Sequence, residues 1–162
     1  MVIWFIGLSG AGKSFFSKKI FNKINKKNKP AVLVDGDEVR KYFNSELGYS
    51  KKEREINSIF IRKLCKYLES KRFNVVCSIL SIFPKHQKEN RKIFKKYIQV
   101  YVKSDIKKLI ERNNNRVYKK TKKVVGRDIE FPKPYKSDFI IENDFKETHK
   151  EILKRIIKKI NG

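Results

Sequence analysis

The chain is poor in the residues that staple small folds together: only two of its 162 residues are cysteine, Cys65 and Cys77. They form no C-x-x-C pair and stand in apolar surroundings. They therefore read as buried free thiols of a reducing compartment, not as a disulfide or a metal site. Long apolar runs are missing too. The stretch VIWFI at 2–6 is too short to span a membrane. It has no basic segment before it and leads straight into a glycine-rich loop, which argues against a signal peptide and for a cytoplasmic protein with no membrane partner. Acidic residues are few, with 17 Asp and Glu against 41 Lys and Arg, for a formal net charge of +24. That excess raises a nucleic-acid partner as one reading. The lysines, however, are spread over nearly every predicted helix, and no basic stripe with interleaved aromatics stands out. Lysine also far outnumbers arginine, whose planar fork suits phosphate and base recognition. The charge is expected to coat the surface and gather anionic substrates, with no specific nucleic-acid partner. Internal repeats, low-complexity tracts and linkers are likewise missing, and 40% apolar content excludes a disordered chain, so one domain over 1–162 is expected.

Against these absences stands Gly7-Leu8-Ser9-Gly10-Ala11-Gly12-Lys13-Ser14, which fits G-x-x-x-x-G-K-[ST], the phosphate-cradling P-loop. Its context fits as well. An unbroken apolar run precedes it, as a strand buried on both faces should, and Phe15, Phe16, Ile20, Phe21 and Ile24 follow at helical spacing. Glycines let such a loop wrap closely round phosphate oxygens, and the helix N-terminus adds a favourable dipole. Lys13 would reach the β- and γ-phosphates, and Ser14 would hold Mg²⁺. A lysine in the first turn of a helix opposes the macrodipole unless an anion sits there, so Lys13 itself argues for a bound triphosphate.

Elements alternate along the rest of the chain, predicting an α/β fold with helices on both faces of a mostly parallel five-stranded sheet. The predicted strands are 2–6, 31–34, 73–80, 97–102 and 138–141. Helices are expected after the loop, at 38–43, after the capping box Ser50-Lys51-Lys52-Glu53, from Pro84, from a Ser104 cap to about Arg112, and after a second capping box of Asp144 and Glu147. The segment 113–136 lacks clean periodicity and reads as a lid.

Asp35 and Asp37 follow the second strand, at the end where open α/β sheets place ligands. Phosphoryl transfer to a hydroxyl needs one carboxylate to deprotonate the acceptor and another to steer Mg²⁺. An Asp-Gly turn with a helix cap is the plainer meaning of the same residues. Arg40, Arg54, Arg112 and Arg116 are candidate anion clamps, the last two flanking the lid, where closure over ATP would bring guanidinium groups against the transferring phosphate. His86 and His149 stand alone on polar helices and are expected to be surface residues.

At this point the chain resembles the adenylyl-sulfate (APS) kinases over nearly its whole length. The pieces come in order: GLSGAGKS, VDGDEVR at 34–40, LGYSKKEREIN at 47–57, VVCSILS at 75–81, VYKK at 117–120 and GRDIEFPKPYKSDFII at 126–141. The resemblance implies a P-loop kinase fold, a homodimer, and transfer of the γ-phosphoryl of ATP to the ribose 3′-hydroxyl of a small activated nucleotide, with Mg²⁺. It makes Asp37 the base at the acceptor hydroxyl, with Lys13 on the phosphates and Asp35 beside Ser14 at the metal. Arg40, Arg54 and Asn57 would hold the acceptor's phosphate-sulfate portion and ribose. Tyr49 would stack on its base, Ser81 would begin the family's I-S-P segment, and Lys119 and Lys120 would belong to the lid.

The departures fall on the acceptor side. Ser81-Ile82-Phe83-Pro84 stands where the family has S-P-Y/F-R, Val124 replaces the second aromatic of a base-stacking clamp, and the lid is shorter than the family pattern. Stacking is worth ~1–3 kcal/mol per base, which valine cannot supply. A smaller base would suit that wall. In this the chain is similar to the cytidine diphosphoramidate kinases of capsule biosynthesis, relatives with the same chemistry and a cytidine acceptor. A basic nucleic-acid-binding P-loop protein is the competing reading from another class.

Overall fold

All five residues of the first strand, β1 (Val2–Ile6), are buried, as expected of a strand flanked on both sides and covered on both faces. The computed structural model describes residues 1–25, 30–43, 45–112, 118, 122–146 and 149–162. β1 pairs in parallel with β3 (Asn74–Ile79), Val2 opposite Val75, and with β4 (Tyr97–Lys103), Val2 opposite Tyr97. Parallel strands β2 (Ala31–Asp35) and β5 (Phe139–Glu142) extend the two sides, giving the order β2-β3-β1-β4-β5. Among the described residues the helices are α1 (Lys13–Asn25), α2 (Gly36–Phe43), α3 (Lys51–Ser70), α4 (Pro84–Ile93), α5 (Ile106–Arg112) and α6 (Lys150–Asn161).

Successive side chains of β1 point to opposite faces, so its period of two builds two apolar layers. Ile3 and Phe5 join Phe16 and Ile20 of α1 and Leu153, Ile156 and Ile160 of α6. Val2, Trp4 and Ile6 join Val39 of α2 and Ile61 and Cys65 of α3. Truncating a wholly buried aromatic such as Phe5 would cost ~3–5 kcal/mol. Cys65 and Cys77 are free and buried as expected, and burial, with Cys65 beside it, pushes the Cys77 thiol well up from its ordinary value. No helix of the described residues is long and apolar enough to cross a membrane. The connection leaving β1 runs toward the β2 edge, whereas those leaving β3 and β4 run toward the β5 edge. Such a reversal opens a crevice at the carboxyl ends of the strands.

Several local expectations are corrected. Asp105, not Ser104, caps α5: its Oδ1 accepts the N–H groups of Lys107 and Lys108 at 2.7 and 3.2 Å. The Ser104 hydroxyl instead stands 3.0 Å from the Asn143 carbonyl. The last helix begins only at Lys150, with His149 at its N-cap position in a left-handed conformation and making no side-chain cap bond. Asp144 makes a local turn to the Lys146 N–H, and Glu147 lies outside the described residues. His86 is not a surface residue. It is buried, its Nδ1 3.0 Å from Ser58 Oγ and its Nε2 3.5 Å from Glu55, tying α4 to α3, and burial lowers its pKa. His149 is half-buried and meets the Phe16 ring edge-on at 5.5 Å. The expected capping box of α3 is present, with Ser50 and Glu53 bonded reciprocally.

Candidate active site

The loop between β1 and α1 turns at Gly7, whose φ of +152° and position beside β4 leave no room for a side chain: a Cβ there would stand 2.3 Å from the Val102 carbonyl. Leu8 and Ala11 are buried beneath the loop, while Ser9, Gly10, Gly12, Lys13 and Ser14 face a cavity of about 690 Å³. Lys13 Nζ donates to the Leu8 carbonyl at 2.8 Å. Burial pushes the Lys13 pKa down from its ordinary value, against the pull of the Asp37 and Asp35 carboxylates. A half-buried ammonium whose desolvation outweighs its neighbouring carboxylates is a site that gains from an incoming anion.

Asp35 ends β2 and is the most heavily bonded group here. Its Oδ2 accepts from Ser14 Oγ at 2.9 Å and from Ser78 Oγ at 2.8 Å, and its Oδ1 accepts the Asp37 N–H at 3.0 Å. Glu38 adds a further backbone bond. The plain helix-cap meaning is realised, and Asp35 bonds the P-loop serine at the same time. Burial works hardest against its ionisation, but the bonds from Ser78, Asp37, Ser14 and Glu38 together outweigh it and hold the pKa below the ordinary value. A carboxylate whose acceptor sites are filled in this way is a poor proton acceptor. Asp37, the second residue of α2, is exposed at the same cavity.

The far wall is built on Tyr49, Arg40, Arg54 and Asn57. Arg40 is buried, donates to the Leu47 and Gly48 carbonyls, and holds its guanidinium 4.9 Å from the Tyr49 ring centre. Arg54 stands 5.2 Å from the same ring and donates to Tyr49 O and to Lys123 O at 3.0 and 3.1 Å. It thus spans from the Tyr49 loop to the residue before Val124. Burial, then the charge of Arg40, lowers the Arg54 pKa. Asn57 is buried on the inward face of α3, and Val124, 4% exposed, closes the wall.

The cavity therefore brings together Lys13, Ser14, Asp35, Asp37, Arg40, Tyr49, Arg54, Asn57 and Val124. Ser81 is not among its lining residues: it is buried, with its hydroxyl accepting from Gln87 Nε2 at 3.2 Å. Arg112, at the end of α5, lies outside the lining and stands 4.0 Å from the Phe145 ring centre. Arg116, Lys119 and Lys120 lie outside the described residues. Sequence reasoning missed Phe15, Lys41, Ser45 and above all Ser78. Ser78 is a polar residue in an apolar strand, but its partner becomes visible only with the register that sets Asp35 opposite it.

Known proteins resemble this chain in sequence and in fold. A sequence model described as adenylylsulphate kinase matches residues 1–142. A cytidine diphosphoramidate kinase of Campylobacter jejuni is 32% identical, covering 98% of this chain and 95% of its own. An adenylyl-sulfate kinase of Clostridium acetobutylicum is 28% identical over 96% of this chain and 80% of its own. Among solved structures, the Mycobacterium tuberculosis APS kinase in complex with AMPPNP and APS has a TM-score of 0.88, covering 99% of this chain and 97% of that one. At 23% identity that likeness shows the fold.

Proposed function

Because this chain belongs to the adenylylsulphate kinase family, we propose that it transfers the γ-phosphoryl group of ATP to the ribose 3′-hydroxyl of a small activated nucleotide. The observation that carries this reading is one cavity with a phosphate loop on one wall, an exposed carboxylate between, and an arginine–tyrosine wall opposite. The loop amides and Lys13 bind the triphosphate. Asp37 takes the proton of the acceptor hydroxyl, because Asp35 has its oxygens committed to four donors. Arg40, Arg54 and Asn57 hold the acceptor's anionic tail; the bonds of Arg54 to Tyr49 and Lys123 use two of its five donors.

The donor set fits Mg²⁺. The Ser14 hydroxyl donates to Asp35, which leaves the lone pairs of the serine oxygen for a cation. Among the described residues no group of three or more His, Cys, Asp or Glu could hold a metal. Ser14 would hold the ion, and Asp35, whose oxygens are taken by protein donors, would orient that serine; so sparse a set suits an ion that arrives with its phosphates and keeps its waters. When bound, Mg²⁺ neutralises charge developing on the transferring phosphoryl group.

Two acceptors fit: adenylyl sulfate and cytidine diphosphoramidate. The second is favoured by Val124, an aliphatic wall where a purine would be poorly stacked, and by the 32% identity to the Campylobacter relative. The test is turnover of ATP and Mg²⁺ with the purified protein across adenylyl sulfate, cytidine diphosphoramidate and plain nucleotides. One of the two activated nucleotides is expected to be phosphorylated at the 3′-hydroxyl. Turnover of neither would refute the reading.

A further inference from the structure

We infer that Tyr118 and Asn143 are positioning residues of the phosphate loop: they grip its carbonyls from outside and thereby turn the amides of Gly10 and Gly12 toward the cavity. An anion cradle must present N–H groups and hide C=O groups. In a trans peptide the carbonyl and the next residue's N–H point in opposite directions, and none of the described peptide bonds is cis. Tyr118 Oη donates to the Ser9 carbonyl at 2.9 Å, and Asn143 Nδ2 donates to the Ala11 carbonyl at 2.9 Å. The amides that follow those carbonyls belong to Gly10 and Gly12, and both glycines line the cavity. Two side chains distant in sequence thus set alternate peptides of the loop in the orientation a triphosphate needs.

The Asn143 side chain is itself held in register. Its Oδ1 accepts the Phe145 N–H at 3.2 Å and its backbone N–H donates to Lys103 O at 2.8 Å, which places Nδ2 on the loop. Ser104 Oγ stands 3.0 Å from Asn143 O and 3.5 Å from Ala11 O. Its single proton goes to the nearer oxygen, leaving Asn143 as the main donor to Ala11. Gly12, at φ +98°, completes the fit, because a Cβ there would stand 2.7 Å from Asn143 Nδ2. Tyr118 and Asn143 are only 2% and 7% exposed, so water does not replace either bond when it is lost.

The inference rests on the triphosphate-binding half of the proposed function, and its test separates the two. Tyr118→Phe removes only the hydroxyl. Asn143→Val removes the amide donor. Calorimetric titration of the full chain with ATP and with inorganic tripolyphosphate is expected to show about a fivefold loss for Tyr118→Phe and for Asn143→Val with both ligands. The KM for the nucleotide acceptor stays at the wild-type value in both variants, which a general loss of folding would not spare. Tyr118→Phe or Asn143→Val binding tripolyphosphate as tightly as wild type overturns the assignment alone. Wild-type protein that binds neither triphosphate overturns the proposed function and the brace with it.

Discussion

Val124→Phe addresses the acceptor wall most directly. The main chain of Val124 is pinned: its N–H donates to Asp128 Oδ2 at 2.9 Å, and its carbonyl accepts from the N–H groups of Asp128 and Ile129 at 2.7 and 3.1 Å. A larger side chain therefore changes the wall without moving the strand of chain that carries it. A phenyl ring opposite the Tyr49 side supplies a second stacking surface, worth ~1–3 kcal/mol per base. That corresponds to roughly 5- to 150-fold in affinity, and more of it goes to a purine, which has more area to cover. Because Val124 is 4% exposed and belongs to the core, overpacking costs ~1–3 kcal/mol of stability and lowers Tm by several degrees. The assay is kcat/KM for adenylyl sulfate and for cytidine diphosphoramidate at saturating ATP, in wild type and variant. The ratio of the first to the second is expected to rise at least about fivefold. An unchanged ratio in a variant that stays folded would refute the placement of Val124 against the acceptor base.

Two other outcomes follow from the geometry. Asp37→Asn should lower kcat by about 10²- to 10⁴-fold while the Kd for ATP, measured by calorimetry, stays near wild type; retained turnover would exclude Asp37 as the base. Glu53 accepts bonds from the Ser50 hydroxyl and from the Ser50 and Gly48 N–H groups, which hold its carboxyl at about 2, below its ordinary 4.5. A depressed folded-state pKa stabilises the fold fully above the ordinary value, and that contribution is lost as pH falls from 4.5 through about 2. Glu53→Gln should therefore flatten Tm against pH in that window, and matching slopes in the two proteins would contradict it.

The parts of the molecule written in short stretches of chain were legible as sequence. β1, the loop and α1 follow one another within Met1 to Asn25, and the signals are local: a fully apolar strand, glycines at the turn, a lysine that only an anion justifies. The Ser50–Glu53 capping box was readable for the same reason. His86 was misread because a lone histidine on a polar helix gives no hint that Ser58 and Glu55, on another helix, will cover it. Ser81 was carried to the acceptor side by a motif whose following residues differ here, and its hydroxyl turned to Gln87.

The amino-acid sequence by itself therefore determined the α/β class, the donor loop and the pair of aspartates, because periodicity and turn chemistry act over a few residues. Only the tertiary structure decided how those pieces divide the work. Ser14, Asp35 and Ser78 meet because parallel pairing sets β2 against β3 and brings the start of α1 to their carboxyl ends. That meeting commits Asp35 to four donors and leaves Asp37 open to the cavity. Tyr118 and Asn143 reach the loop from 109 and 132 residues away in sequence, a separation across which no local pattern carries information. Which carbonyls face outward, and so which amides face the phosphate, is set by packing between distant parts of one chain.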